Sequence, residues 1–358
     1  MPSDSMDQQS MIGILSGHRR GAGPGALRAF LGAAALPYAV AMRIRRWAYR
    51  RRILPARSVA APVICVGNLT TGGTGKTPMT AWVVDHLRRL GRQPAVLTRG
   101  YQRGPGKSDE ARLLERACGV PVVINPDRVA GAKAAIAAGA DVLVMDDGFQ
   151  HRRIRRDLDI VLIDATNPFG FGWCLPRGLL REPVSALRGA DALVVTRSDA
   201  VAPEALPPLR DRLARLAPEA VLCSAIHAPV ALLDEANRAE PPDAVSGRRV
   251  CAFCGIGNPA HFFQVLEALG GRVLATRALD DHVTYTKALL RSLRELGARC
   301  GAEIFITTQK DFVKLSDADL GLPVRQLEVR MEIVQGKDRL WRQIEAAAGS
   351  QRRREQSG

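Results

Sequence analysis

The sequence has no stretch of the roughly 18 uninterrupted apolar residues that a membrane-spanning helix needs. Its seven cysteines are an odd number spread over 358 residues, so they do not form a disulfide framework and instead indicate a reducing compartment. Acidic residues are scarce, with 36 Asp and Glu against 51 Lys and Arg. The 46% hydrophobic and 24% charged fractions exclude a disordered, collagen-like or coiled-coil chain. We therefore expect a folded intracellular protein, soluble or peripheral to a membrane, with about two domains.

The net charge of +15 is concentrated at the amino terminus. Residues 1–58 hold ten arginines and two aspartates, and seven of these arginines lie in residues 43–57. Residues 29–42 carry no charge; as a helix kinked at Pro37 they would be about 21 Å long, too short for a hydrocarbon core of about 30 Å. An apolar segment followed by arginines and aromatic anchors is typical of a helix lying on an anionic membrane surface. A core helix with a solvated basic end and a nucleic-acid-binding segment are the alternatives.

Beyond residue 57, short apolar runs alternate with helical patterns, which is typical of parallel strands in an α/β fold. The predicted strands are 62–66, 94–97, 120–124, 142–145, 160–163, 192–195, 249–253 and 304–307, and the clearest helices are 79–90 and 128–138. We predict a P-loop NTPase-type layered parallel sheet with a second, smaller α/β domain and an N-terminal interfacial helix.

The predicted organisation has five segments. They are a disordered start followed by the membrane-associating helix (1–58), a P-loop kinase domain (59–228), an acidic linker (229–247), a C-terminal α/β domain (248–347) and a disordered tail (348–358). We expect disorder over residues 1–25 in particular.

The first predicted strand leads into a glycine-rich segment with the sequence GNLTTGGTGKTP. A strand, a Gly-rich loop and a helix in this order form a phosphate-binding loop, whose backbone N–H groups converge on phosphate oxygens. Lys76 would reach the β- and γ-phosphates, and the Thr77 hydroxyl would bind Mg²⁺. The predicted loop residues are Thr70, Thr71, Gly72, Gly73, Thr74, Gly75, Lys76 and Thr77. Thr70 stands where the consensus has its first glycine.

A later strand ends in two acidic residues, in the sequence VLVMDDGFQH. A carboxylate at the end of a neighbouring strand can hold the Mg²⁺ that Thr77 binds. Because adjacent strand residues point to opposite sides, we expect only one of Asp146 and Asp147 to bind the metal directly.

Two familiar classes of P-loop protein fit less well. GTPases carry D-x-x-G, but Phe149 stands three residues beyond Asp146. The sequence TRSD at 196–199 follows a strand as a guanine-reading N/T-K-x-D does, with Arg197 in place of lysine. Deviant-loop ATPases have a signature lysine where this chain has Thr71.

The order of seven motifs resembles the tetraacyldisaccharide 4′-kinase family of the lipid A pathway in Gram-negative bacteria. The motifs are GNLTTGGTGKTP, LTRGY, the acidic pair Asp109 and Glu110, DDGFQH, LPRGLLREP, DDH and TTQKD. The resemblance covers residues 36–341. It implies transfer of the γ-phosphoryl group of ATP, with Mg²⁺, to the 4′-hydroxyl of a tetraacyldisaccharide 1-phosphate. It also implies a peripheral location on the cytoplasmic face of the inner membrane, and we expect no nucleic-acid partner and no obligate protein partner.

The resemblance further implies roles for individual residues. Asp109 is the predicted catalytic base, His282 its partner, and Lys76 the residue that neutralises charge on the transferred group. The candidate Mg²⁺ ligands are Thr77, Asp146, Asp147 and Glu182, and the candidate substrate-binding residues are Tyr101, Arg128 and Arg181. The chain departs from the family pattern at Ala111, where the family has proline, and at Val283, where it has a second histidine.

A function of another class also fits the motifs, namely a membrane-recruited regulatory P-loop ATPase that acts on a protein partner. Such a protein would hydrolyse ATP alone or with protein, and Asp109 would have no special role. The pair Cys251 and Cys254 is predicted to be structural, because strand residues three apart point to opposite faces.

Overall fold

The computed structural model describes residues 11–100, 109–280, 283–315 and 319–349, with backbone alone for residues 109 and 110. The described chain forms two compact units. The larger unit contains residues up to 227 and from 331 onward, and the smaller unit contains residues 228–330.

The larger unit is built on a parallel sheet with the strand order β3-β2-β4-β1-β5-β6-β7. Its strands are β1 (Val63–Asn68), β2 (Pro94–Thr98), β3 (Val122–Ile124), β4 (Val142–Asp146), β5 (Leu158–Asp164), β6 (Ala192–Thr196) and the first part of β7 (Val221–Leu233). Its helices are α1 (Ala22–Arg50), α2 (Lys76–Arg89), α3 (Asp109–Cys118), α4 (Arg128–Ala137), α5 (Leu206–Leu216) and α9 (Lys337–Ala348). Short 3₁₀ helices lie at Gly170–Gly172, Val184–Gly189 and Pro203–Ala205.

The smaller unit contains four parallel strands in the order β10-β9-β11-β12. Its strands are β8 (Ala239–Glu240), β9 (Arg249–Cys254), β10 (Arg272–Ala278), β11 (Ile304–Thr308) and most of β12 (Val324–Gln335). Its helices are α6 (Pro259–Ala268), α7 (Lys287–Cys300) and the short α8 (Gln309–Phe312), with a 3₁₀ helix at Pro242–Val245. Residues of α6 pack on one face of β9 and residues of α7 on the other, which makes this unit an α/β layer as well.

The alternation of side chains along β1 explains the layers of the larger unit. Ile64 and Val66 pack in the same cluster as α2, whereas Cys65 packs with residues of α4 on the opposite face. Every residue of β1 is buried, as expected for a central parallel strand. The predicted α/β fold with a parallel sheet is confirmed.

The boundaries of the units differ from the predicted segments in two places. Residues 229–247 are not an aperiodic linker, because β8 pairs antiparallel with the end of β7 there. Helix α9, predicted in the C-terminal domain, belongs to the larger unit. Its Leu340 and Ile344 lie in the same core cluster as α2, and the Trp341 ring stacks on His86 with centroids 5.1 Å apart.

Helix α1 is longer than the sequence predicted. It runs for 29 residues, about 44 Å, and continues through Pro37. By length and composition alone it could cross a membrane, and only 6% of its apolar window is buried. Residues 11–16 are helical rather than disordered, and the Arg177 Nη1 donates a 2.7 Å hydrogen bond to the carbonyl oxygen of Leu15.

A close approach between β1 and the turn that contains Phe149 makes Gly67 a sensitive position. A Cβ atom there would lie 2.6 Å from the Phe149 Cβ and 2.8 Å from its backbone nitrogen. Gly67→Ala should therefore lower the free energy of unfolding by about 2 kcal/mol or more, measured by urea denaturation.

The matched control is Gly32→Ala in α1, where a Cβ meets nothing within 4 Å. It should raise stability by up to about 1 kcal/mol, because alanine favours a helix over glycine. Equal stabilities for Gly67→Ala and the wild type would contradict the close approach.

Candidate active site

The predicted phosphate-binding loop connects β1 to α2. Gly72 and Gly75 have φ values of 120° and 89°, in the region that favours glycine. A Cβ on Gly75 would also lie 2.4 Å from the His227 Nε2, so a side chain here would have to displace the His227 ring. Thr70 forms an isolated bridge with Leu180, which ties the start of the loop to the LPRGLLREP segment.

Two residues predicted for different roles meet at the carboxylate of a third. The Lys76 Nζ lies 3.8 Å from the Asp147 Oδ1, and the Arg181 Nη1 donates hydrogen bonds of 3.0 and 2.9 Å to the two Asp147 oxygens. Burial by itself raises the pKa of Asp147, but Lys76 and then Arg181 hold it below its usual value. The carboxylate therefore stays charged at neutral pH and organises both cations at the phosphate-binding loop.

Asp146 has a different partner from its neighbour. Its carboxylate is buried and accepts a 2.8 Å hydrogen bond from the Thr80 hydroxyl of α2. Asp146 is also the residue of β4 that pairs with Val66 of β1, so it lies beside the strand that leads into the phosphate-binding loop.

The donor atoms at this edge suit Mg²⁺. Thr77 in the first turn of α2 and the two aspartates supply hydroxyl and carboxylate oxygens, the hard ligands that Mg²⁺ prefers. In the part of the chain that the structure describes, no group of three or more His, Cys, Asp or Glu side chains could hold a metal. A bound Mg²⁺ would therefore need phosphate and water oxygens as further ligands.

Glu182 lies among arginines. It is buried, with its carboxylate oxygens 3.9 Å from the Arg45 Nη1 and 3.6 Å from the Arg152 Nη2. The Arg152 guanidinium in turn lies 5.4 Å from the centre of the Phe149 ring. These contacts fix the backbone beside Arg181, and the role of Glu182 as a Mg²⁺ ligand stays a prediction.

Arg128 is a buried cation at the start of α4. Its Nη1 donates a 3.0 Å hydrogen bond to the carbonyl oxygen of Asn125, and Asp127 caps the helix. Burial first, and then the charge of Arg128, lower the pKa of His151 to about 4. His151 is therefore neutral at pH 7, which suits a side chain that braces the DDGFQH loop.

Sequence reasoning missed a brace behind the phosphate-binding loop. The Thr196 hydroxyl donates a 3.0 Å hydrogen bond to the Thr74 carbonyl, and the Arg197 Nη2 donates one of 2.6 Å to the Gly73 carbonyl. Arg197 also pairs with Asp164 at the end of β5. The signal in the sequence for this role is the position of the TRSD motif at the end of β6.

Two of the remaining predicted residues lie outside the described residues, namely Tyr101 and His282. Asp109 is described by its backbone alone, as the first residue of α3. The roles predicted for these three residues stay predictions.

Comparisons with known proteins point to one family. A family model described as Tetraacyldisaccharide-1-P 4′-kinase matches residues 27–348. The Tetraacyldisaccharide 4′-kinase of Anaeromyxobacter sp. (strain K) is 42% identical over 352 residues, covering 90% of this chain and 93% of the relative. The protein of the same name from Pelobacter propionicus is 38% identical over 345 residues, covering 90% and 92%.

A solved structure is similar over nearly the same length. It is the "apo" form of LpxK from Aquifex aeolicus in complex with ATP, with a TM-score of 0.70 and 27% sequence identity. The match covers 90% of this chain and 99% of that one.

The Arg197 brace should affect nucleotide binding. Arg197→Ala removes the hydrogen bond to the Gly73 carbonyl and the ion pair with Asp164, so the loop loses a charged support. We expect the affinity for ATP with Mg²⁺ to fall about tenfold or more, measured by isothermal titration calorimetry.

Asp199→Asn is the control, because Asp199 belongs to the same motif but is exposed. It should leave the affinity for ATP unchanged. A fall for Asp199→Asn as large as that for Arg197→Ala would contradict the assignment of the brace to Arg197.

Proposed function

The chain belongs to the tetraacyldisaccharide-1-P 4′-kinase family, and from this premise we propose that its P-loop edge carries out the family's reaction. The reaction transfers the γ-phosphoryl group of ATP to the 4′-hydroxyl of a tetraacyldisaccharide 1-phosphate, in lipid A biosynthesis. The observation that carries the assignment of this edge is the meeting of Lys76 and Arg181 at Asp147 beside the phosphate-binding loop. Two positive side chains there suit the charge of a transferred phosphoryl group.

The described residues divide the work of phosphoryl transfer. Lys76 and the loop N–H groups neutralise charge on the β- and γ-phosphate oxygens, and Arg181 provides a planar, permanently charged donor. Thr77 and the aspartate pair would hold Mg²⁺, which supplies further charge neutralisation when bound. Arg128, buried and close enough to lower the pKa of His151, adds positive charge to the same region.

The acceptor hydroxyl must lose a proton as it reacts. Its oxygen forms a bond to the γ-phosphorus while the bond to the β–γ bridging oxygen breaks, and Asp109 takes the proton. His282 is the partner that the family resemblance assigns to Asp109. A regulatory ATPase is the alternative of another class, and the names of the curated relatives support the kinase and not this alternative.

Helix α1 supports a location at a membrane surface. Its exposed apolar residues are Phe30, Leu36, Val40, Ile44 and Trp47. Arginines cluster in its last two turns, where they would meet anionic lipid headgroups. We propose that α1 lies on the cytoplasmic face of the inner membrane and brings the site to its lipid substrate.

The reaction is tested by γ-phosphate transfer from labelled ATP to detergent-solubilised tetraacyldisaccharide 1-phosphate. We expect a Mg²⁺-dependent bisphosphorylated lipid. Asp109→Ala should lower kcat by about 100-fold or more while changing the affinity for ATP little, because a general base acts in the transition state.

The control for this variant is Asp211→Ala, which removes an exposed carboxylate on α5. It should retain the wild-type kcat. Release of free phosphate alone by the wild type would favour the regulatory ATPase, and a normal kcat for Asp109→Ala would remove Asp109 from catalysis.

The membrane surface is tested by binding to vesicles that contain phosphatidylglycerol. Ile44→Asp replaces an exposed apolar side chain of α1 with a charge, so vesicle affinity should fall about tenfold. Leu90→Asp is the control, because Leu90 is also exposed and apolar but lies just after α2. Equal vesicle binding by both variants and the wild type would rule out this face of α1 as the membrane contact.

A further inference from the structure

Helix α1 contacts both loops of the phosphate-binding edge. The Tyr38 hydroxyl donates a 2.9 Å hydrogen bond to the carbonyl oxygen of Arg181. The Arg45 Nη2 donates a 3.0 Å hydrogen bond to the carbonyl oxygen of Gln150. Because seven residues are about two helical turns, Tyr38 and Arg45 lie on the same face of α1.

Each of these contacts is linked to Lys76 by a short chain of further polar contacts. On the first path, the Arg181 guanidinium binds Asp147, whose Oδ1 lies 3.8 Å from the Lys76 Nζ. On the second, the Gln150 Nε2 donates a 2.7 Å hydrogen bond to the backbone carbonyl of Asn68. The Asn68 Oδ1 lies 3.5 Å from the same Nζ. Two short polar paths therefore lead from α1 to the Lys76 ammonium group, which would face the phosphates of a bound nucleotide.

A buried charge strengthens the attachment of α1 to the second loop. The Glu182 carboxylate lies 3.9 Å from the Arg45 Nη1 and 3.6 Å from the Arg152 Nη2. A charged carboxylate that is shielded from water needs nearby cations, so Arg45 and Arg152 hold it in place. The residue next to Glu182 is Arg181, whose carbonyl accepts the hydrogen bond from Tyr38.

The opposite face of α1 is apolar and exposed. Leu36, Val40 and Ile44 follow one another at intervals of four residues and are 60%, 50% and 59% exposed. One helix thus presents polar side chains to the catalytic loops and an apolar stripe to its surroundings.

We propose that α1 is a positioning element for phosphoryl transfer, with Tyr38 and Arg45 as positioning residues that hold Arg181 and the Asp147 turn in register with Lys76. This inference rests on the proposed function. The two side chains act through Arg181 and Gln150 on the geometry of the charges around the γ-phosphate. Because phosphoryl transfer depends on such geometry, losing either contact lowers kcat more than it changes ATP binding.

Tyr38→Phe removes one hydroxyl and keeps the ring. Loss of a single hydrogen bond lowers kcat for lipid phosphorylation about 3- to 10-fold, with the KM for ATP within about twofold of the wild type. Tyr49→Phe is the matched control, because it removes a hydroxyl from the same helix but keeps the ring, whose centre lies 5.6 Å from the Arg45 guanidinium. It should therefore keep kcat. Equal kcat values for Tyr38→Phe and Tyr49→Phe would overturn the role of Tyr38.

Arg45→Gln and Arg43→Gln each remove one positive charge from α1. The two variants bind phosphatidylglycerol vesicles equally, but only Arg45→Gln loses kcat, by about tenfold. Arg45→Lys restores part of the loss, because an ammonium keeps the charge and a single donor. If α1 were a membrane anchor alone, both glutamine variants would raise the KM for the lipid and neither would lower kcat specifically.

Hydrogen exchange provides a readout that does not need the lipid. In the full-length protein with ATP and Mg²⁺, the amides of residues 146–151 and 180–182 exchange faster in Tyr38→Phe and Arg45→Gln than in the wild type. If the wild type transfers no phosphate to lipid, the proposed function is refuted, and the hydrogen-exchange rates still test whether α1 holds the two loops in place. If the wild type is active and both variants have its kcat and its exchange rates, this inference alone is refuted.

Discussion

The phosphate-binding edge depends on one carboxylate held between two cations. Lys76 from α2 and Arg181 from a distant loop both lie within ion-pair distance of the Asp147 carboxylate. Its backbone lies in the left-handed region, with a φ of 50°, which costs a non-glycine residue about 1 kcal/mol. Contacts with Lys76 and Arg181 offset that cost. They stabilise the charged form of the Asp147 carboxylate, which burial alone would disfavour. The conformation of the DDG turn and the placement of both cations are therefore set together.

Much of this edge could be predicted from local sequence patterns. Apolar runs of four or five residues predicted the strands, and the glycines of the GNLTTGGTGKTP segment predicted the phosphate-binding loop. Both are local signals, so these elements were predicted at nearly the right residues. The strands that were missed have weaker patterns. In β10, an edge strand, most residues are partly or fully exposed, and β12 alternates irregularly between buried and exposed positions.

The missed site contacts are long-range in sequence. Thr196 and Thr74 are 122 residues apart, and Tyr38 and Arg181 are 143 residues apart. No periodicity or spacing encodes such pairs, since they arise only after parallel strands bring their carboxyl ends to one edge of the sheet. The composition of α1 indicated a surface helix. The sequence does not distinguish a polar residue of this helix that is solvated, however, from one such as Tyr38 that hydrogen-bonds to a loop.

Arg197 repeats the arrangement of Asp147 at another loop of the same edge, with β1 and β5 between the two strands that lead into these loops. It too follows a buried strand, has a φ of 52° and forms an ion pair, here with Asp164. A strained backbone persists only where surrounding contacts determine it, and both residues direct a charged group toward the phosphate-binding loop. Because these contacts are made within the protein itself, they restrict where the two charged groups can lie relative to the phosphate-binding loop. Charges that are fixed in this way can stabilise a transition state without reorganising the surrounding dipoles, and such electrostatic stabilisation is the main contribution that proteins make to phosphoryl transfer.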